Sequence, residues 1–436
     1  MTRVQANNPG HGPYLPFPHL PDPSVEHDLR SDSLPIDGPL TVDRLLSEAP
    51  NQRPAFDVVV LSHLRWNFVY QRPQHLLSRC ARQHRVFFIE EPIASDGPIR
   101  MDISTPRPGV WVAVPHLPEG TSPREADAIQ RRLLDELLAE HRVRSYILWY
   151  YTPMAMAFSH HLDPLATVYD CMDELSAFAG APPEMQEHEK ALLARADLVF
   201  TGGQTLYEAK RDQHPHVFAF PSSVDVPHFA RARETMVDPA DQWAIPHPRL
   251  GFFGVIDERM DLDLLASIAK ARPAWHLVLI GPVAKVDPGA LPQGANIHYL
   301  GRKEYNDLPP YLAGWDVALL PFAINASTRF ISPTKTPEYL AAAKPVVSTP
   351  VRDVVRPYGV RGLVHIAGTA PGFVAAVEDA LGEDAAVRIR HADAFLAQES
   401  WEGTWDRMHR LIEEVLDAAT DEEDRLDISA VATLTD

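Results

Sequence analysis

The strongest constraint on the fold is a recurrence of short, uninterrupted apolar runs separated by amphipathic segments. Val58-Val59-Val60-Leu61 is followed by a helical stretch from Pro73 to Gln83 and then by Val86-Phe87-Phe88-Ile89. Runs at 146–149, 166–169, 198–201 and 217–222 continue the series. A strand with one wet face alternates polar and apolar residues. These runs do not, so they predict strands buried on both faces, in parallel sheets covered by helices. A Pro- and Asp-rich connector over 238–248 interrupts the series, which restarts at 250–256 and continues at 276–280, 297–300, 317–321, 345–348 and 364–366. Two doubly wound α/β domains facing each other satisfy this pattern better than one large sheet or a barrel.

The expected boundaries follow. Residues 1–54 form a Pro-rich arm (Pro13-Tyr14-Leu15-Pro16-Phe17-Pro18) with one short helix at 41–48. The N-terminal domain spans 55–237, the linker 238–248 and the C-terminal domain 249–398. A helix follows over 399–419, then an acidic tail over 420–436. With 40 Lys+Arg against 59 Asp+Glu, the formal charge of −19 argues against nucleic-acid binding, which needs a basic face. Two cysteines, Cys80 and Cys171, cannot build a disulfide framework or a cysteine zinc site. No cationic, then apolar, leader opens the chain, and no apolar run nears the ~18 residues of a membrane helix. The expectation is a cytoplasmic protein.

The most informative stretch is Ser332-Pro333-Thr334-Lys335-Thr336-Pro337-Glu338. Thr336 suits an N-cap and Pro337 a first helical position, at the carboxyl end of a sheet. Open amides, the positive end of a helix and the full charge of Lys335 suit a diphosphate, and Glu338 suits vicinal hydroxyls. A well-capped helix explains the same residues equally well. Gly254 and Gly281 follow strands and would admit a ligand close to the backbone, and Arg259 can fork onto phosphate; a plain turn accounts for Gly281 as well. In the first half, the loop Ser62-His63-Leu64-Arg65-Trp66-Asn67-Phe68-Val69-Tyr70-Gln71-Arg72-Pro73 would line the crevice of a doubly wound sheet. Between Val58 and Ile89 lie five arginines and no acid, a reversal that suits an anionic acceptor or an anionic membrane through the Arg72–Arg85 segment. A solvated helix face accounts for it too. Asp170, Asp173 and Glu174 end a strand and offer a general base or hydroxyl-orienting carboxylates, or simply helix-start acids. The histidine pairs lack partners for a metal site, and no Gly-x-Ser-x-Gly motif is present.

Together these segments resemble retaining GT-B glycosyltransferases of the family 4-like group, in particular those of teichuronic-acid and exopolysaccharide biosynthesis. The likeness is carried by Trp66 with Gln71-Arg72-Pro73-Gln74-His75-Leu76, by Tyr169–Glu174 with Phe178, and by Ala196–Thr201. Pro221-Ser222-Ser223-Val224-Asp225 with Phe229, and Ser332–Val347, complete it. It covers about residues 56–418. The resemblance implies two Rossmann-like domains around a cleft, a last helix crossing back to the N-terminal domain, and a hinge through the connector. It implies a nucleotide-diphosphate sugar as donor, most simply a UDP-sugar, with no further cofactor and no metal. The acceptor would be a saccharide or lipid-linked saccharide. Donor residues would be Gly254, Arg259, Gly281, Ser332, Thr334, Lys335, Thr336 and Glu338; acceptor residues Arg65, Trp66, Gln71, Arg72 and Asp173. Arg259, Lys335 and Asp170 would be catalytic. The chain departs from the family pattern at three places: Phe330 replaces a Glu that contacts the sugar, Ala343 replaces a glycine, and Val255 replaces an arginine. An epimerase or hydrolase of the same fold, an exported sugar-binding protein and a non-catalytic scaffold are the competing readings.

Overall fold

The computed structural model describes residues 56–433, with side chains through 420; the expected arm and its helix at 41–48 lie outside the described residues. The N-terminal domain is built on nine strands: β1 (Asp57–Ser62), β2 (Val86–Glu90), β3 (Ile93–Ala94), β4 (Arg100–Arg107), β5 (Val110–Leu117), β6 (Tyr146–Tyr150), β7 (Ala166–Cys171), β8 (Leu198–Thr201) and β9 (Val217–Ala219). Their order is β3-β5-β2-β1-β6-β7-β8-β9, with β4 paired to β5. Every pairing is parallel except β4–β5. The uninterrupted apolar runs are the central strands. β1, β2, β6 and β7 are buried along their whole length, as strands covered on both faces must be.

The C-terminal domain holds β10 (Arg249–Phe253), β11 (His276–Ile280), β12 (Ile297–Gly301), β13 (Val317–Leu320), β14 (Val346–Ser348) and β15 (His365–Ile366). Their order, β12-β11-β10-β13-β14-β15, is all parallel and matches the Rossmann arrangement. In each domain the winding reverses beside the first strand, between β1 and β6 in one and between β10 and β13 in the other. Ligand crevices of doubly wound sheets open at the carboxyl ends of strands at such reversals.

The last helix, Trp401–Thr433, leaves the C-terminal domain and buries Trp401, Trp405, Met408, Ile412 and Leu416 in the N-terminal core, beside Leu76, Leu77 and Phe200. The spacing of these five residues puts them on one stripe, and each buried apolar side chain of this size is worth about 1.5–3 kcal/mol. The helix runs past its expected end at 419, through residues expected in the acidic tail, to Thr433, the last described residue. The connector is held on one side. Asp238 pairs with Arg249 at 2.6 Å, Gln242 donates to Asp238, and Trp315 Nε1 donates to Gln242 at 2.9 Å, so this segment is fastened to the C-terminal domain.

Candidate functional site

At the carboxyl edge of the C-terminal sheet, β10 ends in Gly254 at φ 138° and β11 in Gly281 at φ 142°. A Cβ on Gly281 would overlap the Gly254 backbone oxygen, and one on Gly254 would lie 2.7 Å from Lys335 Nζ. Only glycine permits this approach, and it leaves a bare backbone cradle with an ammonium laid across it. The helix beside it is Lys335–Ala341, with Thr334 at the N-cap. It starts two residues before the expected Pro337, because Thr336 already has a helical backbone partner: its N–H donates to Pro333 O at 3.2 Å. Thr336 and Glu338 are buried, and Thr336 Oγ1 and Glu338 Oε2 have no hydrogen-bond partner. Orphaned buried polar atoms cost about 1–3 kcal/mol each, so two at one helix start mark a place where a ligand's hydroxyls or phosphate belong. Burial raises the Glu338 carboxyl to about 7 against the pull of Lys335, and burial lowers the Lys335 ammonium against the pull of Glu338.

Arg259 completes this group. Its Nε and Nη2 face the Asp257 carboxylate, at 3.0 and 2.5 Å, and its guanidinium lies 5.7 Å from the Phe178 ring of the other domain. Lys285 Nζ lies 5.5 Å from the same ring. Asp173, also from the N-terminal domain, is pushed up by burial and drawn down by Arg259, Lys335 and Lys285. Three cations of one domain thus meet one carboxylate of the other across the cleft. Ser332 and Thr334 flank the group, half-buried. Ser332 is turned to the other domain, where a Cβ on Gly203 would lie 2.8 Å from it.

The cleft is held shut at several points. Asp353 Oδ1 accepts from Thr205 N at 3.1 Å and from the Thr205 hydroxyl, so a C-terminal carboxylate caps the N-terminal helix Gln204–Lys210. Arg302 donates to Asn67 O at 3.0 Å, Tyr70 meets Tyr305 at 4.5 Å, and Ala179 N donates to Glu258. Phe330, standing where the family pattern has a carboxylate, packs on the N-terminal core cluster that includes Val59 and Leu206. It therefore serves as an apolar contact between domains. None of these contacts was anticipated from the sequence, since each joins residues far apart in the chain.

Several expected acceptor-side residues are placed elsewhere. Arg72 and Asp170 are both fully buried and paired at 2.8 Å, with Arg72 Nη1 donating to Phe220 O at 2.7 Å. Asp170 is therefore a core ion-pair partner rather than a catalytic group, and Arg72 does not reach an acceptor. Trp66 is buried edge-on to Phe88, so its ring offers no stacking face, and its backbone N–H donates to Glu90 Oε1. Arg65 spends its guanidinium on Glu90 and on the Glu91 and Pro92 carbonyl oxygens. Gln71 opens the helix Arg72–Cys80, its N–H donating to Gln74 Oε1. Within the arginine-rich segment, Arg79 and Arg82 pair with Glu402, and Arg85 with Asp57. No helix among the described residues is long and apolar enough to cross a membrane, and no cluster of three metal-ligating side chains occurs among them.

Two facing Rossmann domains, a glycine cradle and a crossing helix are features that comparison with known proteins can test. Residues 247–383 match the family model "Glycosyl transferases group 1". Sucrose-phosphate synthase from Thermosynechococcus elongatus superposes with a TM-score of 0.64 at 14% identity, covering 83% of this chain and 100% of that one. The chain has the GT-B glycosyltransferase fold. A second GT-B neighbour, Anabaena HepE in complex with UDP and glucose, superposes with a TM-score of 0.57 at 13% identity, over 82% of this chain and 99% of that one. In sequence, the GT-B chain is 28% identical over 139 residues to a Bacillus subtilis protein provisionally named the teichuronic acid biosynthesis glycosyltransferase TuaH. That match spans 31% of this chain and 35% of the relative.

Proposed function

We propose that this protein transfers a sugar from a nucleoside-diphosphate sugar to a hydroxyl of a saccharide or lipid-linked saccharide, in the synthesis of a surface polysaccharide or glycoconjugate. The observation that carries this is the pair of orphaned, buried polar atoms on Thr336 and Glu338, set beside Lys335 and the cradle of Gly254 and Gly281. Glu338 is suited to take the two ribose hydroxyls. Lys335 and Arg259 are suited to the diphosphate, whose charge grows as the bond to the sugar breaks, and their stabilisation of that charge would be the protein's largest contribution. Transfer with retention fits this arrangement. The acceptor oxygen attacks from the face the diphosphate leaves, its proton passing to the departing phosphate oxygen. The chain's own cations supply the leaving-group stabilisation, so the reaction is expected to proceed in EDTA. HepE was solved with UDP and glucose, which supports UDP as the nucleotide to try first.

The test is a thermal-shift panel with UDP, GDP, dTDP and CDP on wild type and Glu338→Ala. A rise with one nucleotide that the variant abolishes supports a donor site here. Equal behaviour of the two proteins with every nucleotide overturns it.

A further inference from the structure

The N-terminal crevice contains two side chains that the donor site does not use. His63 is the first residue beyond β1, and its Nδ1 lies 3.0 Å from the carbonyl oxygen of Tyr151, the first residue beyond β6. The ring therefore stands at the reversal point of the N-terminal sheet. A carbonyl oxygen only accepts, so Nδ1 carries the hydrogen and the neutral ring keeps a lone pair on Nε2. Burial, with a smaller push from Lys285 of the facing domain, holds the imidazole down at about 4, so it is neutral at working pH.

Glu91 is the first residue beyond β2. Ser62 pairs with Glu90 in the parallel ladder, so His63 and Glu91 leave adjacent strands at the same level, strands being about 4.8 Å apart. Glu90 is consumed by Arg65 and the Trp66 N–H, whereas no hydrogen bond engages the Glu91 carboxyl among the described residues. Burial raises that carboxyl to about 7, against the pull of Arg65 and Lys285. Lys285 belongs to the opposite domain and adopts φ 57° after the Gly281 turn. Lys285 of the facing domain thus acts electrostatically on both residues.

We propose that His63 Nε2 and the Glu91 carboxyl are the acceptor clamp, each receiving one hydroxyl of a neutral saccharide that flanks the hydroxyl being glycosylated. This rests on the glycosyl-transfer function proposed above and names its acceptor chemistry: a pyranose with neighbouring hydroxyls. The clamp touches only non-reacting hydroxyls and takes no part in the proton's path to the diphosphate.

The test uses the full chain and saturation-transfer difference NMR, with methyl α-D-glucoside, methyl α-D-galactoside and methyl α-D-mannoside as probes. Each is measured with and without the nucleotide that gives a thermal shift. His63→Asn keeps a side-chain N–H for the Tyr151 carbonyl and removes the Nε2 acceptor, so it isolates the clamp from the fold. Glu91→Gln and Glu91→Ala do the same for the carboxyl. Ring-proton signals from at least one glycoside, cut at least five-fold by His63→Asn and by Glu91→Ala with the nucleotide shift intact, support the clamp. Signals absent for all three glycosides, signals unchanged in both variants, or a nucleotide shift lost in His63→Asn overturn it. A wild type that binds glycoside but no nucleotide separates failure of the donor site from failure of the clamp.

Discussion

Asp353→Ala should open the cleft. In the closed arrangement this carboxylate accepts from the Thr205 N–H at 3.1 Å and from the Thr205 hydroxyl, across two domains. Hydrogen bonds to a charged acceptor are each worth about 1.5–3 kcal/mol net, and capping a helix start adds about 0.3–1 kcal/mol. Against this stands the desolvation of a carboxylate whose pKa burial has raised, which costs on the order of 1–2 kcal/mol. With two such bonds, the net is about 1–6 kcal/mol in favour of closure, or about 10-fold or more in the closed-to-open ratio. In the open form water satisfies both partners, so the loss falls on closure alone. Single-molecule FRET between dyes on Glu136→Cys and Lys270→Cys reads this ratio. Both sites are exposed, and the native Cys80 and Cys171 are buried away from the dye. Arg352→Ala is the control, since its surface pair with Glu208 is worth at most about 1 kcal/mol. A closed-to-open ratio in Asp353→Ala within two-fold of wild type would refute the reasoning, whatever happened to the melting temperature.

Three further outcomes are expected. Glu338 has a carboxyl raised from 4.5 to about 7, so the folded state binds its proton more tightly than the unfolded chain. Its contribution is fully present below about 4.5 and is lost as pH rises to about 7. Glu338→Gln should therefore raise apo stability at pH 8 by up to about 3 kcal/mol and change it little at pH 5; equal gains at both pH values in denaturant melts would contradict this. Ala343 follows the helix Lys335–Ala341 at φ 58°, with the Lys344 N–H returning to Tyr339 O, a helix ending that favours glycine. Ala343→Gly should stabilise by about 0.5–1 kcal/mol, read as a higher urea midpoint at unchanged slope. Arg72→Met alone should cost about 3–5 kcal/mol by stranding Asp170, whereas Arg72→Met with Asp170→Leu should cost markedly less in the same melts.

The architecture was legible because it is written in local composition. Short continuous apolar runs alternating with amphipathic segments fit strands covered on both faces, and every run named from the sequence lies on or overlaps a strand. The β4–β5 hairpin was not foreseen, since Arg100–Arg107 is largely exposed and carries no apolar run to announce it. The juxtaposition of the glycine cradle and the helix start was legible for the same local reason: Lys335, Thr336 and Glu338 are close in sequence, and Gly254 and Gly281 each end an apolar run. The acceptor side was misread because its signal was charge. Arg72, Arg79, Arg82 and Arg85 form an acid-free segment only in sequence; their carboxylates arrive from Asp170, Glu402 and Asp57. Phe330 looked like a lost sugar contact because a missing carboxylate is visible in sequence, whereas an apolar cluster built from residues far back in the chain is not.

The closed cleft already contains the electrostatic argument for how a donor would enter. Arg259, Lys335 and Lys285 face Asp173, while Asp257 and Glu338 share their own domain's cations. A nucleoside diphosphate entering this group would bring negative charge next to Asp173 and Glu338, whose carboxyls burial has already made costly to ionise. Like charges in contact in a poorly solvated site repel by several kilocalories per mole, so a diphosphate and a closed, ionised Asp173 are incompatible. Either Asp173 moves away with its domain or it takes up a proton. On the function proposed above, the diphosphate competes with Asp173 for Arg259, Lys335 and Lys285, and its entry is tied to release of the Phe178 and Asp353 contacts that hold the two domains together.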